Sequence, residues 1–121
     1  WTDVPLTAKG EKEAIQAGQT LKERGVEVDL AFTSLLQRAS KTLELTLSAC
    51  GTTKKNRPEI HSSWRLNERH YGELQGLNKA RAAEQMGESI VREWRRSWEI
   101  PPPPMQPTHP LYEQIYKNPI Y

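Results

Sequence analysis

The short run Leu30-Ala31-Phe32, inside a stretch from Val26 to Thr33 rich in β-formers, lies between two segments of helical period. No other feature constrains the chain as much. Upstream, Ala14, Ala17, Gly18 and Leu21 recur at i, i+3, i+4, i+7 in a segment that Thr7 can cap, that runs to Arg24 and that Gly25 can stop. Downstream, Ser34-Leu35-Leu36-Gln37 matches a capping box, and Leu36, Ala39, Leu43, Leu47 and Cys50 mark one helical face up to Gly51. Residues 52–58 form a polar, basic loop ending at Pro58, and Glu59 to Trp64 resumes as a second short strand. A helix between two strands predicts a right-handed βαβ unit in a parallel sheet, with Leu30 to Phe32 buried on both faces. The expected class is α/β.

The second half carries more helix signals. Asn78 can cap a helix with Lys79 in its first turn, Ala82, Ala83 and Met86 inward, and Gly87 as its end. A further helix over Glu88 to Trp98 puts Ile90, Trp94 and Trp98 at i, i+4, i+8. Pro101 to Pro104, then Met105, Pro107 and Pro110, force an extended segment without internal hydrogen bonds, and His109 before Pro110 reads as structural. Tyr112, Ile115, Tyr116, Ile120 and Tyr121 suggest one more amphipathic stretch.

With 121 residues, one domain over 1–121 is the default. Seventeen Lys and Arg against fifteen Asp and Glu give +2, too weak a bias to point to nucleic acid or a membrane, so any anion site has to be local. Cys50 is the only cysteine, which excludes an intrachain disulfide and fits a core position in a protein of the reducing cytoplasm. No apolar run approaches the roughly 18 residues of a membrane span. The chain opens on Trp1 rather than Met, from which a piece of a longer protein is expected.

Chemistry concentrates in residues 65 to 72, Arg65-Leu66-Asn67-Glu68-Arg69-His70-Tyr71-Gly72. One carboxylate among guanidiniums, an imidazole and a phenol can move a proton beside an anion that the cations hold. Residue types alone leave an exposed ion-pair cluster as an equal alternative. Arg38 falls in the first turn of the helix after the Leu30 strand, at the carboxyl edge where open α/β sheets bind ligands, and residues 65 to 72 leave the second strand toward the same edge. Arg95 and Arg96 form a pair suited to phosphate or carboxylate, with a solvated pair equally open. No Gly-rich phosphate loop, no His pair at metal spacing and no Gly-x-Ser-x-Gly turn occurs, so a metal site is not expected.

Several ordered motifs carry a resemblance. Trp64-Arg65-Leu66-Asn67-Glu68-Arg69-His70-Tyr71-Gly72, Gly76-Leu77-Asn78-Lys79, Trp94-Arg95-Arg96-Ser97 with Pro101 to Met105 after it, and Phe32-Thr33-Ser34 followed by Gln37-Arg38-Ala39 strongly resemble the cofactor-dependent phosphoglycerate mutases of the histidine phosphatase superfamily. The likeness extends from Trp1-Thr2-Asp3-Val4-Pro5-Leu6 to Tyr121. It implies a three-layer α/β fold with a mainly parallel sheet, and a cytoplasmic, glycolytic, homo-oligomeric enzyme. Such an enzyme interconverts 3- and 2-phosphoglycerate through a phosphohistidine, primed by 2,3-bisphosphoglycerate and without a metal. By the same resemblance Glu68 is the general acid/base and Arg38 contacts the phosphoryl group, while Arg69, Tyr71, Lys79, Arg95 and Arg96 hold the substrate phosphate and carboxylate. The substrate brings a charge of roughly −3, to which these cations are suited.

The departures are equally plain. The family's nucleophile is a His in an Arg-His-Gly segment, and its partner is a second His-Gly pair; His61, His70 and His109 have other neighbours, and His70 matches a non-nucleophilic position. Lys41, Trp98 and Ile120 stand where the family more usually has Arg, Tyr and Arg. The expectation is therefore a middle portion of a phosphoglycerate mutase that is inactive and marginally stable alone. Synthesis or hydrolysis of 2,3-bisphosphoglycerate, or a non-catalytic remnant that binds a partner through its proline run, are the alternatives.

Overall fold

A computed structural model describes residues 1–121. In chain order it has α1 (Ala8–Glu23), β1 (Leu30–Thr33), α2 (Gln37–Ala49), β2 (Glu59–Ser62), 3₁₀ turns at Trp64–Leu66 and Gly72–Leu74, α3 (Lys79–Met86), α4 (Glu88–Arg96) and α5 (Tyr112–Tyr116). The chain divides into two compact units, residues 3–68 and residues 1–2 with 69–121.

In the 3–68 unit, β1 and β2 pair in parallel with Leu30 opposite Glu59 and Thr33 opposite Ser62, and α2 connects them. The expected βαβ unit is present, and the protein is α/β. Helix α1 starts where predicted, because the Thr7 hydroxyl accepts the Gly10 N–H at 3.0 Å. It packs along α2 through Gly18, where an added Cβ would fall 2.3 Å from the Thr46 carbonyl oxygen. Ala14 and Gly18 are buried, whereas Ala17 turns out to be exposed, since only part of the expected stripe meets α2.

Three expectations need correction here. Strand β1 is shorter than 26–33, and its burial alternates: Ala31 and Thr33 are buried, while Leu30 is 48 % and Phe32 62 % exposed. One face of β1 is covered and the other is open, and β2 has no buried residue, so the run is not buried on both faces. Ser34 does not cap α2 as a box with Gln37; its hydroxyl accepts the Leu36 N–H, and Leu36 occupies the cap position. The first-turn donor is met instead from across the chain, as Gln37 donates its backbone N–H to Asp3 Oδ1 at 2.7 Å and its side-chain amide to the Asp3 carbonyl at 2.8 Å. Cys50 is half-buried, a free thiol 3.6 Å from the Val26 carbonyl.

The other unit is helical. Asn78 Oδ1 accepts from Ala80 N at 2.9 Å and Arg81 N at 3.4 Å, as its sequence position predicts. Helices α3 and α4 pack together around Leu74, Ala82 and Val91, with Tyr71 and Trp94 against this core. Burying a side chain such as Leu74 stabilises by about 1.5–3 kcal/mol. The predicted Ile90-Trp94-Trp98 stripe is not the buried one. Ser97 is already extended (φ −66°, ψ 140°), so Trp98 lies beyond the helix at 98 % exposure, and Val91 takes the inward place beside Trp94. Met86 is also exposed. The proline segment forms no helix or strand over residues 101–106, but it is not free of internal hydrogen bonds as expected: the chain turns over residues 107–110, where the Gln106 carbonyl accepts the His109 N–H at 2.9 Å. It packs on its own unit: Pro102 and Met105 are buried, and the Pro103 carbonyl accepts the Glu73 N–H at 2.9 Å. Ile115 of α5 is buried. No helix is long and apolar enough to cross a membrane.

Candidate functional site

The carboxyl ends of two parallel strands emerge at the same edge, so whatever follows β1 and β2 in sequence is brought together there. After β1, a short loop leads into α2, which carries Arg38 in its first turn. After β2, Ser63 caps the 3₁₀ turn at Trp64–Leu66 by accepting the Arg65 N–H at 3.2 Å. That turn aims Asn67 and Glu68 back across the edge. Asn67 Oδ1 accepts the Leu35 N–H at 3.2 Å, tying the two post-strand loops, and Arg38 Nη2 donates to Glu68 Oε1 at 2.6 Å. A short, charge-assisted bond of this kind fixes both groups in orientation. The Glu68 side chain remains 50 % and that of Arg38 27 % exposed, so the pair contributes at most about 1 kcal/mol to stability and stays open to a ligand.

The two site residues assigned to this unit are thus in direct contact. Asn67 has no role in the sequence reading, although it stands inside the same motif; its signal is a short amide directly before a charged residue at a strand exit. Its Nδ2 is buried without a hydrogen-bond partner.

The remaining predicted residues lie in the other unit. Arg69 donates to the carbonyls of Ser97 at 2.6 Å and Ile100 at 3.4 Å, which uses part of its five-donor fork to hold the segment after α4. Arg95 lies over the Tyr71 ring, guanidinium carbon 4.5 Å from the centroid, in a cation–π contact that leaves its donor edges available. Arg96, the last residue of α4, and Lys79, the first of α3, are exposed. Arg69, Tyr71 and Arg95 are therefore linked through α4 and the segment after it, while Lys79 and Arg96 offer charge from helix ends. His70 is half-buried with its ring and turn contacts inside this unit, and its pKa lies below the usual 6.5, first because of burial and then through the amino terminus and His109.

Residues 1–117 match the profile of the histidine phosphatase superfamily, branch 1. The chain belongs to this superfamily. Within it, the chain is 51 % identical over 105 residues to the 2,3-bisphosphoglycerate-dependent phosphoglycerate mutases of two strains of Treponema pallidum, one of them strain Nichols. The match takes in 87 % of this chain and 41 % of each relative. This histidine phosphatase chain therefore spans about two fifths of the length of the curated relatives it matches, and the resemblance noted from the motifs holds along most of it.

Proposed function

We propose that this chain is the middle portion of a phosphoglycerate mutase, an isomerase of glycolysis that interconverts 3- and 2-phosphoglycerate in the cytoplasm through a phosphohistidine. The observation that carries the reading is the Arg38–Glu68 ion pair at 2.6 Å, on the shared carboxyl edge of two parallel strands. A carboxylate held by a guanidinium at such an edge can take the proton of a substrate hydroxyl as the phosphoryl group arrives, and return it as the group leaves. Arg38 meets the phosphoryl oxygens; Arg69, Tyr71, Lys79, Arg95 and Arg96 hold the phosphate and carboxylate of the substrate. On this reading residues 1–121 belong to one incomplete mutase-like domain, and the complete enzyme is a homo-oligomer acting on a small molecule.

The donor set also bears on 2,3-bisphosphoglycerate. Exposed Lys79 and Arg96 and the stacked Arg95 suit a strongly anionic group, and Arg38 suits a phosphoryl oxygen. Bound, that compound supplies the priming phosphoryl group. None of the three histidines stands in an Arg-His-Gly context, so the residues present fit holding the anion and not accepting its phosphoryl group. The isolated chain is accordingly inactive. Incubation with 2,3-bisphosphoglycerate followed by intact-mass spectrometry should show no added phosphoryl group, and a stoichiometric phosphoryl adduct would refute the assignment of these histidines. Burial of Pro102 and use of the Pro103 carbonyl within the unit favour the proline run as a wall of the protein over a partner-binding motif.

A further inference from the structure

The turn that joins Arg69 to Gly72 is closed by a side chain that the functional reading leaves without a task. His70 Nδ1 accepts the backbone N–H of Gly72 at 3.0 Å. An imidazole nitrogen can accept only when it carries no proton, so the ring is neutral and its single proton is on Nε2. That Nε2 is buried without a hydrogen-bond partner. The ring stands edge-on to Trp1, with centroids 5.2 Å apart, and to Tyr116 at 5.9 Å. The titratable groups that bear on it are the Trp1 amino group, the His109 imidazole and the Tyr116 phenol, of which the first two repel a second proton on His70.

The residues on either side of His70 do the work assigned to this unit. Arg69 reaches the Ser97 and Ile100 carbonyls, and Tyr71 carries the guanidinium of Arg95. Gly72, at φ +54°, has no slack, since a Cβ there would fall 2.0 Å from the Pro103 carbonyl oxygen. We propose that His70 is a positioning residue: its neutral Nδ1 fixes the Arg69–Gly72 turn, and protonation of that nitrogen loosens the hold of Arg69 and Tyr71–Arg95 on an anion. A proton on Nδ1 would set one donor against another at 3.0 Å. The bond is lost, and with Gly72 clamped on Pro103 the strain falls on Arg69 and Tyr71. Burial favours the neutral ring, and this larger cause does not depend on the Trp1 amino group. The consequence for anion binding rests on the functional reading; the turn itself does not.

The test uses the ¹⁵N-labelled 121-residue chain, with imidazole nitrogen and Gly72 amide resonances followed from about pH 7.5 to 5, a range that brackets the ordinary histidine titration, and calorimetric titration with 3-phosphoglycerate at both ends of that range. The expected result is a neutral His70 protonated at Nε2, a Gly72 amide that shifts with the His70 titration, and binding that weakens at low pH. The ligand's phosphate also titrates near pH 6, so the comparison is with His70→Asn, whose Oδ1 stands in for Nδ1 and cannot protonate. Wild type should lose about tenfold more affinity than this variant, the scale of one hydrogen bond, and His70→Gln should not restore the turn. A proton on Nδ1 in the neutral ring, a Gly72 amide indifferent to His70, or equal losses in wild type and His70→Asn would overturn the proposal. A chain that shows the His70–Gly72 coupling but binds no 3-phosphoglycerate would support the turn and count against the functional reading instead.

Discussion

Gly72 approaches the carbonyl oxygen of Pro103 so closely that a Cβ built on it would fall 2.0 Å away. Its neighbour Glu73 donates its N–H to the same oxygen, and the Glu73 carboxylate accepts the Gln106 N–H, so the proline segment is strapped to the turn after His70. Gly72→Ala combines a clash against backbone with a positive φ. It should destabilise the protein by about 2–4 kcal/mol. Gly87, at φ +97° with open space around it, isolates the conformational part, and Gly87→Ala should cost about 1–2 kcal/mol. Urea denaturation of both variants checks the order; equal losses would mean that the Pro103 contact carries no weight.

The α1–α2 crossing makes a similar prediction with a competing term. Gly18→Ala gains roughly 1 kcal/mol of helix propensity but drives a methyl group to 2.3 Å from the Thr46 oxygen and 2.7 Å from the Ala49 Cβ. Overpacking of this kind costs about 1–3 kcal/mol, so the net change should be destabilising. A raised melting temperature in the variant would show that the helices separate without penalty.

Asp3 acts as a distant cap of α2 through the Gln37 N–H. Removing it with Asp3→Ala should cost about 0.5–2 kcal/mol, while Asp3→Asn, which keeps Oδ1, should recover most of that. Thermal melts of the two variants should separate; coincident curves would deny the cap.

The pH dependence of stability has a defined sign at His70. Its folded pKa is depressed below 6.5, mainly by burial. The unfolded chain therefore binds a proton more readily, and the contribution of His70 is fully present above about pH 6.5 and lost as pH falls through the folded pKa. His70→Asn should flatten the stability profile between about pH 7 and 5. An identical slope in wild type and variant would place the titrating group elsewhere.

Much of the fold is legible in the sequence because it is local. Thr7 and Asn78 cap the helices they precede, and the β1–α2–β2 order follows from apolar period and glycine punctuation. Features that depend on distant chain are not legible in this way. The cap of α2 comes from Asp3, 34 residues away, so the nearby Ser34–Gln37 pattern misleads. The apolar run at Leu30–Phe32 says that a strand forms, yet nothing in it says how many of its faces this stretch of chain covers. Trp98 keeps helical spacing with Trp94, but the extended Ser97 ends α4 first. In the candidate site, Arg38 and Glu68 can be placed on one edge from topology alone, since parallel strands share a carboxyl edge. The Asn67 tie and the His70 acceptor cannot, because both depend on which atoms of a loop side chain face the backbone.

The role of Glu68 is the most direct point of attack. In the complete mutase of the proposed function, Glu68→Gln would keep a hydrogen-bond acceptor for Arg38 and remove the proposed acid/base. Steady-state conversion of 3- to 2-phosphoglycerate should fall by about 10²–10⁴-fold in kcat with KM changed only a few-fold. A variant that turns over within about threefold of wild type, far short of the loss expected for a missing acid/base, would contradict Glu68 as the acid/base of a phosphoglycerate mutase.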